Sequence, residues 1–191
     1  MNGLIFFADY ISKEEEKFYL ELIDSQAWSR ELSRKVQHYG YRYNYSTRKV
    51  EVCDTGILDK LCLPLMKYNW TYSELYDGSM DVEEYNDGCI HPNQVIVNEY
   101  NPGEGISAHV DADCFGDRIV VLSLGSGTVL RFTHVDTGEE ESYYIPPRSL
   151  LIMEGDARTK WKHEIPKRRS DMVDGKFIPR ERRVSITYRT V

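Results

Sequence analysis

Hydrophobic and polar positions change period along the chain, and each period predicts a different element. Leu4–Ala8 is a short apolar run that reads as an opening strand. Phe18, Tyr19, Leu22 and Ile23 then recur at helical spacing among Glu and Lys, behind Ser12-x-x-Glu15. Serine and glutamate three apart satisfy each other's orphan backbone N–H groups, so a helix from Lys13 to about Asp24 is predicted, with those four apolar residues on its buried side. From Val36 to Tyr45 the period is two, with Tyr39, Tyr41, Tyr43 and Tyr45 alternating with Gly40, Arg42 and Asn44. This predicts one strand with four phenols on one face. Pro64 suits the first turn of a second helix, continued by Leu65, Tyr68, Tyr72, Leu75 and Tyr76 until Asp77-Gly78 stops it. The acidic segment Asp77–Asp87 that follows reads as a solvated loop.

From Val95 onward the texture is that of short β-branched and aromatic runs separated by Gly and Pro. Val95–Tyr100, Arg118–Leu124, Thr128–His134, Ser142–Ile145, Ser149–Met153 and Arg183–Thr190 all read as strands. Strands so closely spaced suggest a sandwich or barrel of jelly-roll type. No repeat or linker divides the 191 residues. The expectation is one α+β domain, with an N-terminal portion over 1–94 and a β core over 95–191.

Composition narrows the class. Hydrophobic content of 41% with 12% aromatics is that of a folded domain. A net charge of -7 and a pI near 5.3 argue against indiscriminate nucleic-acid binding, yet basic residues gather at Arg30–Lys49 and Arg158–Arg169. Cys53, Cys62, Cys89 and Cys114 lack C-x-x-C spacing, which suits reduced thiols. Leu4–Ala8 is too short for a membrane span and no basic segment precedes it, so the reading is a protein without membrane contact, cytoplasmic or also nuclear, and monomeric.

Two patterns carry candidate chemistry. After the break Asn101-Pro102-Gly103-Glu104-Gly105, His109 and Asp111 stand one residue apart, and in a strand they would share a face. With a second histidine from elsewhere (His38, His91, His134 or His163) they could form the two-His-one-carboxylate triad of non-haem iron oxygenases; alone, they could equally be a hydrogen-bonded pair. In the last strand, alternation puts Arg183, Ser185, Thr187 and Arg189 on one face and Val184, Ile186 and Tyr188 on the other. If that polar face is inward, the arginines call for an anionic partner such as a dicarboxylate; if the strand is an edge, they are exposed charges that discourage aggregation.

Taken together, Asn98-x-Tyr100-x-Pro102-Gly103, His109-x-Asp111, Ala157-Arg158-x-x-x-Trp161-x-His163 and Arg183-x-Ser185-x-Thr187-x-Arg189 resemble the AlkB-type Fe(II)- and 2-oxoglutarate-dependent dioxygenases. Ser123-Leu124-Gly125-Ser126 and Pro147-Arg148-Ser149-Leu150-Leu151-Ile152-Met153 strengthen the likeness, and Tyr39-Gly40-Tyr41 is similar to the branch that hydroxylates modified wobble uridines in tRNA. The resemblance implies a double-stranded β-helix (jelly-roll) core with N-terminal helices and a substrate-lid hairpin. It implies His109, Asp111 and His163 as iron ligands. It places Asn98, Tyr100 and Arg183 on the distal carboxylate of 2-oxoglutarate, with Arg189 near its metal-bound end and Ser185 where the family often has Asn. The remaining coordination position is for O2. The implied reaction is oxidative decarboxylation of 2-oxoglutarate to succinate and CO2 with hydroxylation of a substrate C–H bond, and a hydroxylated N-methyl group is shed as formaldehyde.

The implied partner is a modified base presented unpaired in nucleic acid, RNA or tRNA above all. Contacts are expected from Tyr41, Arg42 and Tyr43 on the tyrosine strand, from Arg48 and Lys49 beside it, and from Lys167, Arg168 and Arg169 beyond His163. Repair of alkylated DNA, oxidation of a protein, and a non-catalytic interaction protein are the alternatives.

Overall fold

A computed structural model of the chain describes residues 1–44, 46–66 and 92–191. Two antiparallel sheets lie face to face. The larger has the order β1-β10-β7-β14-β5-β2, built from Leu4–Phe7, Leu150–Met153, Ile119–Gly125, Arg183–Arg189, Gln94–Tyr100 and Lys35–Tyr39. The smaller has the order β6-β11-β8-β9, built from Ile106–His109, Trp161–Ile165, Thr128–His134 and Glu140–Ile145. Strands β1 and β2 from the N-terminal half form the two edges of the large sheet, so the last strand, β14, is paired on both sides, with β5 and β7. Two further hairpins stand apart: β3–β4 (Tyr41–Asn44 with Lys49–Val52) and β12–β13 (Ser170–Val173 with Lys176–Pro179).

Strand alternation sorts side chains into two cores. Val95, Val97, Val120, Leu122, Val184, Ile186 and Tyr188 face outward from the sandwich. There they pack under helix α1 (Lys13–Asp24) and helix α2 (Leu58–Met66), where Tyr19, Ile23, Leu61 and Leu65 complete the layer. Between the sheets, Ile119, Leu151 and Met153 meet Leu130, Phe132, Trp161 and Ile165. Helix α1 starts as predicted: the Ser12 hydroxyl accepts from Glu15 N at 3.2 Å, and Ser12 N donates to the Glu15 carboxylate at 2.8 Å. Only Tyr19 and Ile23 of its apolar stripe are buried; Leu22 is half-buried and Phe18 lies open to solvent.

Two other expectations are corrected. The tyrosine run is not one strand. Gly40, at φ +76°, breaks it, and a Cβ there would overlap the carbonyl oxygen of Asn93. Before the break Tyr39 is buried under the large sheet; after it Tyr41 and Tyr43 belong to the β3–β4 hairpin, and Tyr45 lies outside the described residues. Pro64 does not open helix α2 but sits inside it, since the Thr55-Gly56 turn starts the helix earlier, with Leu58 N donating to Thr55 O. The rest of the predicted second helix and the acidic segment lie outside the described residues. Strands β4, β6, β11, β12 and β13 add to those predicted from period alone. Among the described residues, Cys53, Cys62 and Cys114 are free thiols, and no helix is long and apolar enough to cross a membrane.

Candidate active site

His109 closes β6 directly opposite His163 of β11, with ring centroids 4.3 Å apart. Asp111 lies two residues beyond the end of β6, so it reaches the pair from a loop and not by strand alternation. Arg158 fixes that loop. Its buried guanidinium donates to the carbonyls of Asp111, Ala112 and Phe115 at 3.0, 2.9 and 3.3 Å. The result places ligand atoms of His109, Asp111 and His163 within 4.8 Å of one another. This is the arrangement three protein donors need to hold one face of an octahedral iron.

Protonation suits the same use. His109 Nδ1 lies 2.8 Å from the Ser107 carbonyl oxygen, which can only accept, so Nδ1 donates there and Nε2 is the ring nitrogen left to face a metal. Burial lowers the His163 pKa to about 4 against the opposing pull of Asp111, so its imidazole is neutral at pH 7. For Asp111, burial acts upward, but the charge of Arg189 and the adjacent histidines and Arg158 outweigh it and bring the carboxyl to about 2. At neutral pH the Asp111 carboxylate and the neutral His163 imidazole therefore converge, with the His109 ring beside them.

A cavity of about 530 Å³ opens at this triad between the two sheets. The polar face predicted for the last strand, Arg183, Ser185, Thr187 and Arg189, lines it, so these arginines belong to an interior strand and not to an edge. Arg189 donates to Asp111 Oδ1 and stacks 4.3 Å from the Phe115 ring. Arg183 is buried. It donates to the Ser123 hydroxyl at 2.8 Å and lies 5.6 Å from the Tyr100 ring centre, but its Nε and Nη1 find no partner among the described residues. Burial depresses its pKa to about 10, which leaves it charged at pH 7. A buried cation with open donors is costly unless an anion completes it, so the pocket fits a carboxylate co-substrate. Asn98, Tyr100 and Ser185 line the same wall.

The rival histidines have other duties. His134 Nδ1 accepts from Asp136 N and Thr137 N in the turn after β8, and its ring packs edge-on against Trp161. His38 pairs with Glu31 at 3.1 Å, and His91 lies outside the described residues.

Of the expected nucleic-acid contacts, Tyr43 and Lys167 line the cavity, Tyr43 with its ring 5.9 Å from Phe115. Tyr41 is half-buried on the hairpin, and Arg48 and Lys49 are exposed at its turn. Arg42 is paired with Glu51 at 3.0 Å and Glu31 at 3.8 Å. Arg168 is held by Asp171 at 2.8 Å, while Arg169 is exposed. Among the cavity residues without a role in the sequence, Phe115 and Arg34 carry the most chemistry. Phe115 carries no spacing signal, and Arg34 was visible only within the basic stretch Arg30–Lys49.

Fold and site together define an iron- and keto-acid-dependent oxygenase. The chain belongs to the 2OG-Fe(II) oxygenase superfamily, whose sequence profile it matches over residues 3–189. It is 38% identical to uncharacterized protein L905 of Acanthamoeba polyphaga mimivirus, over 100% of this chain and 86% of that one. It is 36% identical to the tRNA (carboxymethyluridine(34)-5-O)-methyltransferase ALKBH8 of Macaca fascicularis, over 90% of this chain and only 25% of that protein. The structure of OsALKBH1 superposes with a TM-score of 0.72 at 15% identity, covering 99% of this chain and 97% of that one. The protein is thus an AlkB-type 2-oxoglutarate-dependent dioxygenase, and the cofactors of its family are Fe(II), 2-oxoglutarate and O2.

Proposed function

We propose that the protein oxidises a modified nucleobase in RNA, with the wobble region of tRNA as its substrate. His109 Nε2, His163 and Asp111 hold Fe(II), and Arg183 receives the distal carboxylate of 2-oxoglutarate beside Tyr100, Asn98 and Ser185, while Arg189 lies at the metal-bound end. The sandwich is read as a double-stranded β-helix, with the β3–β4 hairpin as the substrate lid over it. The observation that carries this reading is the open-ended guanidinium of Arg183, buried on the wall of the same cavity as the His109–Asp111–His163 cluster. Fe(II), 2-oxoglutarate and O2, when bound, would supply the oxidising chemistry: one oxygen atom of O2 ends in succinate as CO2 leaves 2-oxoglutarate, and the other converts a substrate C–H to C–OH.

The chain's own residues bind, orient and exclude water. The apolar walls at Ile119, Leu151 and Met153 keep solvent from the reacting centre, and the Arg189–Asp111 bond holds the carboxylate in place. Tyr43 over Phe115 offers an aromatic surface at the cavity, of the kind that takes an unpaired base by stacking. The RNA assignment draws its support from that surface and from the tRNA named for the macaque relative.

The test has two stages. Anaerobic addition of Fe(II) and 2-oxoglutarate should produce a weak visible charge-transfer band, and no band means that the pocket does not hold the pair. Mass spectrometry of nucleosides from tRNA, mRNA and DNA incubated with the loaded enzyme should then show oxygen gain or methyl loss on a tRNA uridine. A change confined to DNA, or none with any nucleic acid, would remove the RNA assignment.

A further inference from the structure

Tyr100 on β5 is flanked by two arginines. Arg183 faces it from β14 in direct register, while on the other side Lys35 of β2 faces Glu99, which puts Arg34 next to Tyr100. Both guanidinium carbons lie 5.6 Å from the ring centre. The ring and the strand that carries it thus stand between two cations, each on its own flank. Arg34 is 9% exposed and lines the cavity. It spends Nε on Asn98 Oδ1 at 2.7 Å. Its Nη1 and Nη2 make no hydrogen bond or ion pair among the described residues.

The charges in the cavity leave Arg34 over. Arg34, Lys167, Arg183 and Arg189 line it, whereas Asp111 is the one carboxylate among the described lining residues, and it already serves Arg189 and the histidines. A bound 2-oxoglutarate brings two carboxylates, one for Arg183 and one for the metal end. Arg34 and Arg183 stand on the two flanks of Tyr100, and Arg34 lines the cavity together with Leu32, Ser33 and, from the β3–β4 hairpin, Tyr43. A guanidinium held this deep gains most from an oxyanion that engages its planar fork.

We propose that Arg34 is a specificity-determining residue that binds an oxyanion carried by the substrate nucleotide, on the far side of Tyr100 from the co-substrate. This rests on the functional reading above. A carboxylate substituent on the base and a backbone phosphate share the chemistry, and the experiment separates them.

Enzyme loaded with Mn(II) and 2-oxoglutarate, without O2, is titrated with a short single-stranded RNA containing 5-carboxymethyluridine. Two controls change one charge each: an acetamide in place of the carboxylate, and a neutral methylphosphonate in place of the adjoining phosphate. Wild type should lose at least tenfold in affinity on one of the two neutralised probes, and which one names the source of the oxyanion. Arg34→Gln should bind the charged and neutral versions alike, and Arg34→Lys, which keeps the charge, should regain part of the discrimination. Circular dichroism and thermal unfolding check that the variants fold. Binding by wild type with no preference for charge overturns this proposal alone, as does undiminished preference in Arg34→Gln. A tenfold loss of 2-oxoglutarate affinity in Arg34→Gln, with probe preference intact, would assign the residue to the co-substrate instead. Failure of wild type to bind any RNA probe removes the RNA reading and this proposal with it.

Discussion

Asp111 meets two positive demands at once, the proposed metal and Arg189, and its removal should be felt at both. Asp111→Ala deletes the only anionic member of the cluster and takes from the half-buried Arg189 its carboxylate partner, leaving it a hydrogen bond to Gln94 at 3.4 Å. Conversion of 2-oxoglutarate to succinate in the absence of nucleic acid should fall at least a hundredfold. His163→Ala should do the same, whereas His134→Ala should leave turnover within about twofold, because His134 closes a turn and packs on Trp161 without lining the cavity. Succinate assays on the three variants, with circular dichroism as a fold check, decide this; loss in His134→Ala with retention in His163→Ala would refute the ligand set. At this scale His109-x-Asp111 was legible as a pattern, but its partner was not, because β11 brings His163 alongside from more than 50 residues away. Only the family resemblance singled it out from His38, His91 and His134. Arg34 shows the opposite limit. One arginine in a basic run looks like a solvated charge until β2 pairs with β5 and turns it inward.

Elements read from period alone came out well where one rule applied and badly where two competed. Helix α1 had a periodic stripe and a capping box pointing to the same boundary, and β8 had alternation up to the Gly138 turn. The tyrosine run had period two throughout, and alternation conceals a break, since Gly40 occupies a between-tyrosine position where any small residue satisfies the pattern. Its conformation says otherwise. At φ +76° and against the Asn93 carbonyl, Gly40 is the corner that sends Tyr39 to the core and Tyr43 to the cavity. Gly40→Ala should therefore cost about 1–3 kcal/mol of stability, from left-handed backbone and overlap together. Urea denaturation measures it, with Gly138→Ala as the comparison, since that glycine shares the positive φ (+71°) but has open space at its Cβ. Equal losses in the two would mean that backbone conformation alone, and not the close approach to Asn93, sets the corner. Short hairpins such as β12–β13 escaped notice because two four-residue strands around Asp174-Gly175 carry too little alternation to stand out from a loop.

At the scale of the whole molecule, a chain with net charge -7 would have to grip the proposed RNA through a restricted surface. The structure divides the basic candidates by what they already hold. Arg42 is committed to Glu51 and Glu31, and Arg168 to Asp171, which also receives Arg180 and the backbone N–H of Val129. Replacing Arg168 would disturb that buried junction as well as any RNA contact. Lys167 lines the cavity and Arg169 is exposed two residues on, with no ion pair for either among the described residues. Both follow β11, which carries His163, and Lys167 is itself part of the cavity lining. Each phosphate contact to a single strand releases counterions and adds about 0.7 to the slope of log affinity against log salt. The double variant Lys167→Ser/Arg169→Ser should therefore flatten the slope for single-stranded RNA by about 1.4 and weaken binding at low salt, more than at high salt. Uncoupled succinate formation should be unchanged, because 2-oxoglutarate is assigned to Arg183 and Arg189. Fluorescence anisotropy across a salt series reads both quantities. A slope equal to that of wild type would show that this segment is solvated in the complex, and the phosphates would then have to be held by Arg48 and Lys49 at the tip of the β3–β4 hairpin.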